Sequence, residues 1–232
     1  MSRTLRLVVI IPAVISLAFC TATFAVEPSS APADIQSFFQ DLNGEWIGTV
    51  EQYTNQTRAD TKYFHAVIKQ TSGHTYAAEF EYYRLDKRNG APVQIGVTTM
   101  TNVLNPGGTA TVTIHGNGEV FIDPKTSKYE EHQLLELLRR SSSGRLDGKG
   151  SGTINVSGIA LGAGRHGKVS DYSSVWTLGN GVLTLTERLK VTFRVLFFAE
   201  HYDIVYNFRA QRGGDVAGLI RQAGAHGASS GQ

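Results

Sequence analysis

A succession of period-two apolar runs separated by Asn-Gly pairs constrains this chain more than any other feature. Tyr76, Ala78, Phe80 and Tyr82 alternate with Thr75, Ala77, Glu79 and Glu81, giving a strand with one aromatic and one largely acidic face. Ala110, Val112 and Ile114 are separated by Thr, Leu183 and Leu185 alternate with Thr184 and Thr186, and Tyr202, Ile204, Tyr206 and Phe208 share a face. Asn89-Gly90, Asn117-Gly118 and Asn180-Gly181 tolerate the positive φ of tight hairpin turns, so neighbouring strands are antiparallel. About nine or ten short strands of this kind predict an all-β closed barrel or a two-sheet sandwich.

The segment before the strands decides between them. Ile35, Phe38, Phe39 and Leu42 fall at i, i+3, i+4 and i+7 on one helical face, and Asn43-Gly44 supplies a stop. That apolar face needs a cover, and the open end of a barrel provides one that a sandwich lacks. The predicted fold is therefore a single antiparallel up-and-down β-barrel over residues 34–212 with a short N-terminal helix before strand one.

Three stretches are read with less regularity. Residues 128–140 fit either a helix opened by a capping box at Ser127 to Glu130 or a strand; the strand is preferred because Arg145 to Ile154 reads as its return partner. Gly144, Gly148, Gly150 and Gly152 fall on one face of that partner, as sharp strand bending requires. Residues 158–171 read as an exposed Gly-rich loop, and Ala199-Glu200-His201 as the turn after the dense apolar run 191–198.

The chain opens with Arg3 and Arg6, an apolar run from Leu7 to Phe19, and the small-x-small triplet Thr23-Phe24-Ala25. This pattern predicts a signal peptide over 1–25, cleaved after Ala25, with export to the periplasm or beyond. The apolar run is shorter than the roughly 20 residues that span a bilayer, and Pro12 interrupts it. No stable membrane span is expected once it is removed. Residues 26–33 form a Pro- and Ser-rich flexible leader, and 213–232 a Gly- and Ala-rich flexible tail with at most a turn or two of helix around Val216 to Gln222.

Charge and cysteine content follow from that segment. The chain carries 22 Lys and Arg against 20 Asp and Glu, so removing Arg3 and Arg6 leaves 20 of each. A neutral exported chain offers no field for nucleic acid. The one Cys, Cys20, also lies in the signal. The exported domain then has no disulfide and no thiol chemistry, which suits a bacterial periplasm.

Directly after the 35–42 helix stands Gly44-Glu45-Trp46. A short helix leading into a first strand with Gly-x-Trp resembles the lipocalin-like (calycin) β-barrel superfamily, here in a bacterial family of that fold. The resemblance covers the architecture and about 15 residues of motif. It implies that Trp46 fills the closed end of the barrel and that an Arg of the final strand lies across it, with Arg209 the first candidate and Arg212 the second.

Candidate chemistry is sparse. The seven His residues show no metal-ligand spacing, so no metal and no cofactor are expected. Gly162 to Gly167 lacks the Lys-Ser/Thr of a phosphate loop, although Arg165, His166 and Lys168 would make a local anion-attracting rim. The candidate lumen residues are Trp176, Phe193, Arg194, Phe197, Asp203 and Tyr206; Arg194 and Asp203 would approach one another across the 199–201 turn if they faced inward. Glu187 and Arg188 pose the same question of facing. The resemblance implies a non-catalytic exported barrel that binds a small apolar or amphipathic molecule, such as a lipid or pigment, in its lumen. The alternatives are a lumen enzyme of cyclase or isomerase type using Arg194, Asp203 and Glu187, and a ligand-free cell-envelope interaction protein.

Overall fold

The computed structural model describes residues 31–86, 88–118, 126–140, 144–158, 165–195 and 198–221. The stretches read above as a signal segment and most of the leader, Phe197 and the end of the tail lie outside the described residues. A helix, α1 (Ala33–Leu42), is followed by ten strands: β1 (Gly44–Thr54), β2 (Thr57–Ser72), β3 (Thr75–Leu85), β4 (Pro92–Asn105), β5 (Thr109–Gly118), β6 (Thr126–Arg140), β7 (Arg145–Gly158), β8 (Arg165–Gly179), β9 (Val182–Val195) and β10 (Phe198–Arg212). Each strand pairs with its sequence neighbours, and β10 returns to β1, closing an antiparallel up-and-down barrel. Closure leaves no unpaired edge.

The strands run 10 to 16 residues, longer than the short runs expected. The 128–140 stretch is strand β6, because its polar and apolar residues obey period two: Tyr129, Glu131, Gln133, Leu135 and Leu137 are buried, while His132, Leu134, Glu136 and Leu138 are exposed. In β7, a Cβ at Gly150 or Gly152 would run into the backbone carbonyls of Leu134 or His132 in β6. Those glycines let the two strands approach where the register of β7 against β8 shifts between Gly150 and Gly152.

Turn chemistry is partly as read. Asn180 and Gly181 both have positive φ, 53° and 73°, as a type I′ turn between β8 and β9 requires. Asn55-Gln56, with φ of 49° and 68°, makes the β1–β2 turn, and the Asn55 side-chain oxygen accepts the Asp203 N–H at 2.9 Å. Asn117, by contrast, is paired within β5 against Val97 and Lys128, and its side chain accepts the Val97 N–H at 3.1 Å. Residues 165–171 belong to β8 instead of a loop, and 199–201 belong to β10, whose hairpin with β9 already pairs Val195 with Phe198. Residues 216–221 form a short helical turn whose Ile220 is buried.

The helix plugs one end of the barrel. Ile35, Phe38, Phe39 and Leu42 are all buried in the core, worth roughly 1.5–3 kcal/mol each relative to exposure. Phe39 packs on Tyr76 with ring centroids 5.2 Å apart, and the Trp46 indole N–H donates to the Leu42 carbonyl at 2.8 Å. The Arg that covers Trp46 is Arg212, its guanidinium carbon 4.4 Å from the ring centroid. Arg209 does not do so, because inward positions of β10 carry even numbers; it pairs with Thr49 and is exposed. Arg212 also donates to the carbonyls of Asp41 and Asn43 at the end of α1. Gly44, at φ 127°, lies where a Cβ would collide with that guanidinium.

Candidate functional site

The middle of the lumen, beyond the aromatic plug, is polar. Alternation along β6 turns Glu131 and Gln133 inward, and alternation along β9 from Leu183 and Leu185 turns Glu187 inward as well. Across the same space β8 contributes Tyr172 and Trp176, with Ser174 buried between them in sequence, β3 Tyr82, β4 Thr98 and β10 Tyr206.

Several of these groups hold one another. The Tyr172 hydroxyl donates to Glu187 at 2.7 Å, and the Gln133 amide donates to Glu131. Thr98 and Tyr129 share a hydrogen bond of 2.8 Å, and the Trp176 indole N–H donates to Ser174 Oγ at 3.2 Å. Tyr129 itself fits because Gly116 in β5 leaves the room its ring occupies.

Electrostatics in this space are unusual. Burial lifts the Glu131 carboxyl to about 7; the Gln133 amide opposes the rise and the Glu187 charge adds to it. Burial likewise lifts Glu187 to about 6, against the stabilising hydroxyl of Tyr172. Burial, followed by negative neighbours, holds the hydroxyls of Tyr172 and Tyr206 well above the ordinary tyrosine range. The described residues lining the cavity include no Lys, Arg or His. Two acids therefore face a space with no compensating cation, the setting in which a carboxyl holds its proton near neutral pH.

These residues enclose a cavity of about 60 Å³. That volume takes about five waters, or a molecule on the order of five to eight non-hydrogen atoms. A second void of about 30 Å³ lies toward α1, lined by Phe39, Leu42, Trp46 and other apolar side chains. Phe80, Met100, Trp176, Leu185 and Phe208 line both, so the lumen grades from acidic to apolar across one partition. Tyr129 also borders an open depression of about 430 Å³ with Lys128, His115 and Arg165 at its rim. A lipid or pigment is far larger than the interior void.

The expected lumen residues divide. Trp176 and Tyr206 line the cavity. Phe193 is buried against Tyr202, with ring centroids 5.9 Å apart, and does not border it. Arg194 and Asp203 lie exposed on the outer face: Arg194 opposes Ala199 and Asp203 opposes Lys190, so the two do not meet. The reason is parity, since β9 turns odd positions inward and β10 even ones. Arg188 is outward for the same reason, and Phe197 lies outside the described residues. Glu131, Gln133, Tyr172 and Thr98 were missed by sequence reasoning. For Glu131 and Gln133 the signal lies in the strand reading of 128–140, which puts Tyr129, Glu131, Gln133 and Leu135 on one face.

Among the described residues no three His, Cys, Asp or Glu side chains gather as a metal site, and no helix is long and apolar enough to cross a membrane. No protein-family model and no curated protein matches the chain. Among solved structures, Rv2717c from M. tuberculosis aligns with 79% of this chain and 99% of its own, at 12% identity and a TM-score of 0.50. The S-type phycobiliprotein lyase CPES from Guillardia theta aligns with 78% of this chain and 93% of its own, at 6% identity and a TM-score of 0.42. The first likeness is one of fold alone.

Proposed function

We propose that this protein is an exported binding barrel that takes a small amphipathic molecule into its lumen. The observation that carries the reading is the cavity between Glu131 and Glu187, polar on one side and graded into the apolar void beneath the plug on the other. Binding pockets combine an apolar wall with a few convergent polar groups in this manner. Export rests on the 1–25 pattern; N-terminal sequencing of the mature protein is expected to begin at Val26, and a start at Met1 would remove that part of the reading.

Trp176 is a built-in reporter. With Trp46→Phe, the one remaining Trp of the chain borders both voids. Titrating that variant with a solvent extract of the producing organism is expected to change Trp176 emission in a saturable way. Emission that stays constant through the titration would contradict lumen binding.

A second reading is favoured by one observation, two carboxyls that border one cavity and are both pushed upward by burial. Such a pair suits proton transfer in a cyclase or isomerase, with one carboxyl as the acid and the other as the base. Chromatography of the released molecule separates the two: a carrier yields one species, a catalyst a substrate and its isomer.

A further inference from the structure

We propose that the molecule this lumen selects is a small organic amine, held as its ammonium between Glu131 and Glu187. The inference rests on the lumen-binding reading above and names the chemical class of its ligand. Three observations carry it. Both carboxylates border one cavity, and no described lining residue is cationic. Beside Thr98 and Gln133, the polar wall is phenolic and aromatic, with Tyr82, Tyr172, Trp176 and Tyr206 presenting rings and hydroxyls to the same space. The wall opposite is apolar, through Phe80, Met100 and Phe208.

The physics favours a cation strongly over the alternatives. Two like charges withdrawn from water repel one another and lack solvation, and an ammonium placed between them relieves both penalties. Its three N–H donors match carboxylate acceptors, and ring faces attract it through their quadrupoles. A carboxylate ligand would add a third negative charge to an uncompensated site. A neutral alcohol would gain hydrogen bonds without the charge term. The small volume restricts the amine to a short chain whose carbon tail points toward the apolar partition.

Protons are coupled to this step. Among the described residues the titratable groups facing the cavity are Glu131, Glu187, Tyr82, Tyr129, Tyr172 and Tyr206. The tyrosines hold their protons throughout pH 5 to 8, since burial raises all four. Only the two carboxyls change charge in that window, so ammonium binding releases their protons and strengthens as pH rises through about 6 and 7.

The test uses three six-carbon probes, n-hexylamine, 1-hexanol and hexanoate, against full-length mature protein carrying Trp46→Phe, read by Trp176 emission at pH 8. Hexylamine is expected to bind at least tenfold more tightly than hexanol, with hexanoate weakest. Its affinity is expected to rise at least tenfold from pH 5 to pH 8 while that of hexanol stays flat. Glu131→Gln and Glu187→Gln, checked for folding by circular dichroism, are expected to abolish the preference while hexanol binding persists. Hexanol binding as tightly as hexylamine would overturn the amine assignment and leave the lumen reading intact. Failure of hexylamine to bind, in protein whose Trp176 responds to host extract, would overturn the amine assignment alone. Failure of both titrations would overturn both.

Discussion

The phenolic hydroxyl of Tyr172 in β8 donates to the Glu187 carboxylate of β9 at 2.7 Å, inside the barrel and facing its cavity. This bond opposes the rise that burial imposes on Glu187, as the Gln133 amide opposes that of Glu131. Tyr172→Phe removes the donor and leaves the ring. The Glu187 carboxyl is then expected to rise above about 6, read by carbon-13 NMR of labelled Glu across a pH series. The same variant is expected to lose about 1.5–3 kcal/mol of stability at pH 8, the usual worth of a hydrogen bond to a charged group. An unmoved Glu187 titration would show that Tyr172 does not tune it.

Stability is expected to fall with rising pH, the reverse of a salt-bridged carboxylate. The folded Glu131 carboxyl sits at about 7, above the 4.5 of an ordinary Glu. Its contribution is therefore full below about 4.5, where both states are protonated, and is lost as pH rises through about 7. Between pH 5 and pH 8 the wild type is expected to lose on the order of 3 kcal/mol relative to Glu131→Gln. Urea unfolding of both proteins at several pH values measures it. Parallel profiles would mean that Glu131 is not buried as a carboxyl.

Arg212 and Arg209 are expected to differ sharply although both belong to β10. Arg212 covers Trp46 and donates to two carbonyls at the end of α1, whereas Arg209 is exposed. Arg212→Ala is expected to cost about 1–3 kcal/mol through the cation–π contact and the charged hydrogen bonds. Arg209→Ala is expected to stay within about 0.5 kcal/mol. Thermal or urea unfolding compares them directly, and equal effects would contradict the assignment of the lid.

Gly44→Ala tests the same end of the barrel from the other side of the contact. Gly44 has φ of 127° and no space for a Cβ beneath the Arg212 guanidinium. A loss of about 1–3 kcal/mol is expected from backbone strain alone. In the Arg212→Ala background the collision is gone but the strain remains, so the cost is expected to shrink without vanishing. A neutral Gly44→Ala would argue that the helix-to-strand junction relaxes freely.

Much of this architecture was legible in the chain because β alternation and a plug helix are local patterns. Tyr76 to Tyr82 and Tyr202 to Phe208 fixed their own facing, and Asn180-Gly181 fixed its own turn. Facing also excluded Arg194 and Asp203 from the lumen, yet their charges within apolar runs drew attention away from that parity. Glu131 and Gln133 were hidden by the helix-or-strand ambiguity of 128–140, where Leu134, Leu135 and Leu138 satisfy a helical period as well. The choice between Arg209 and Arg212 required the β1–β10 register, which pairs Trp46 with Arg212 across a closure that no local pattern encodes. The cavity between Glu131 and Glu187 is likewise a property of closure, created by strands far apart in sequence.

Native mass spectrometry of the mature protein purified from its own host tests the central claim most directly, with the Glu131→Gln, Glu187→Gln double variant beside it. The expected result is a small non-covalent adduct on the wild type that denaturation releases and that the double variant loses or holds at much lower occupancy. The bare chain mass in both, or an adduct retained equally by the variant, would contradict a ligand held between these two carboxylates.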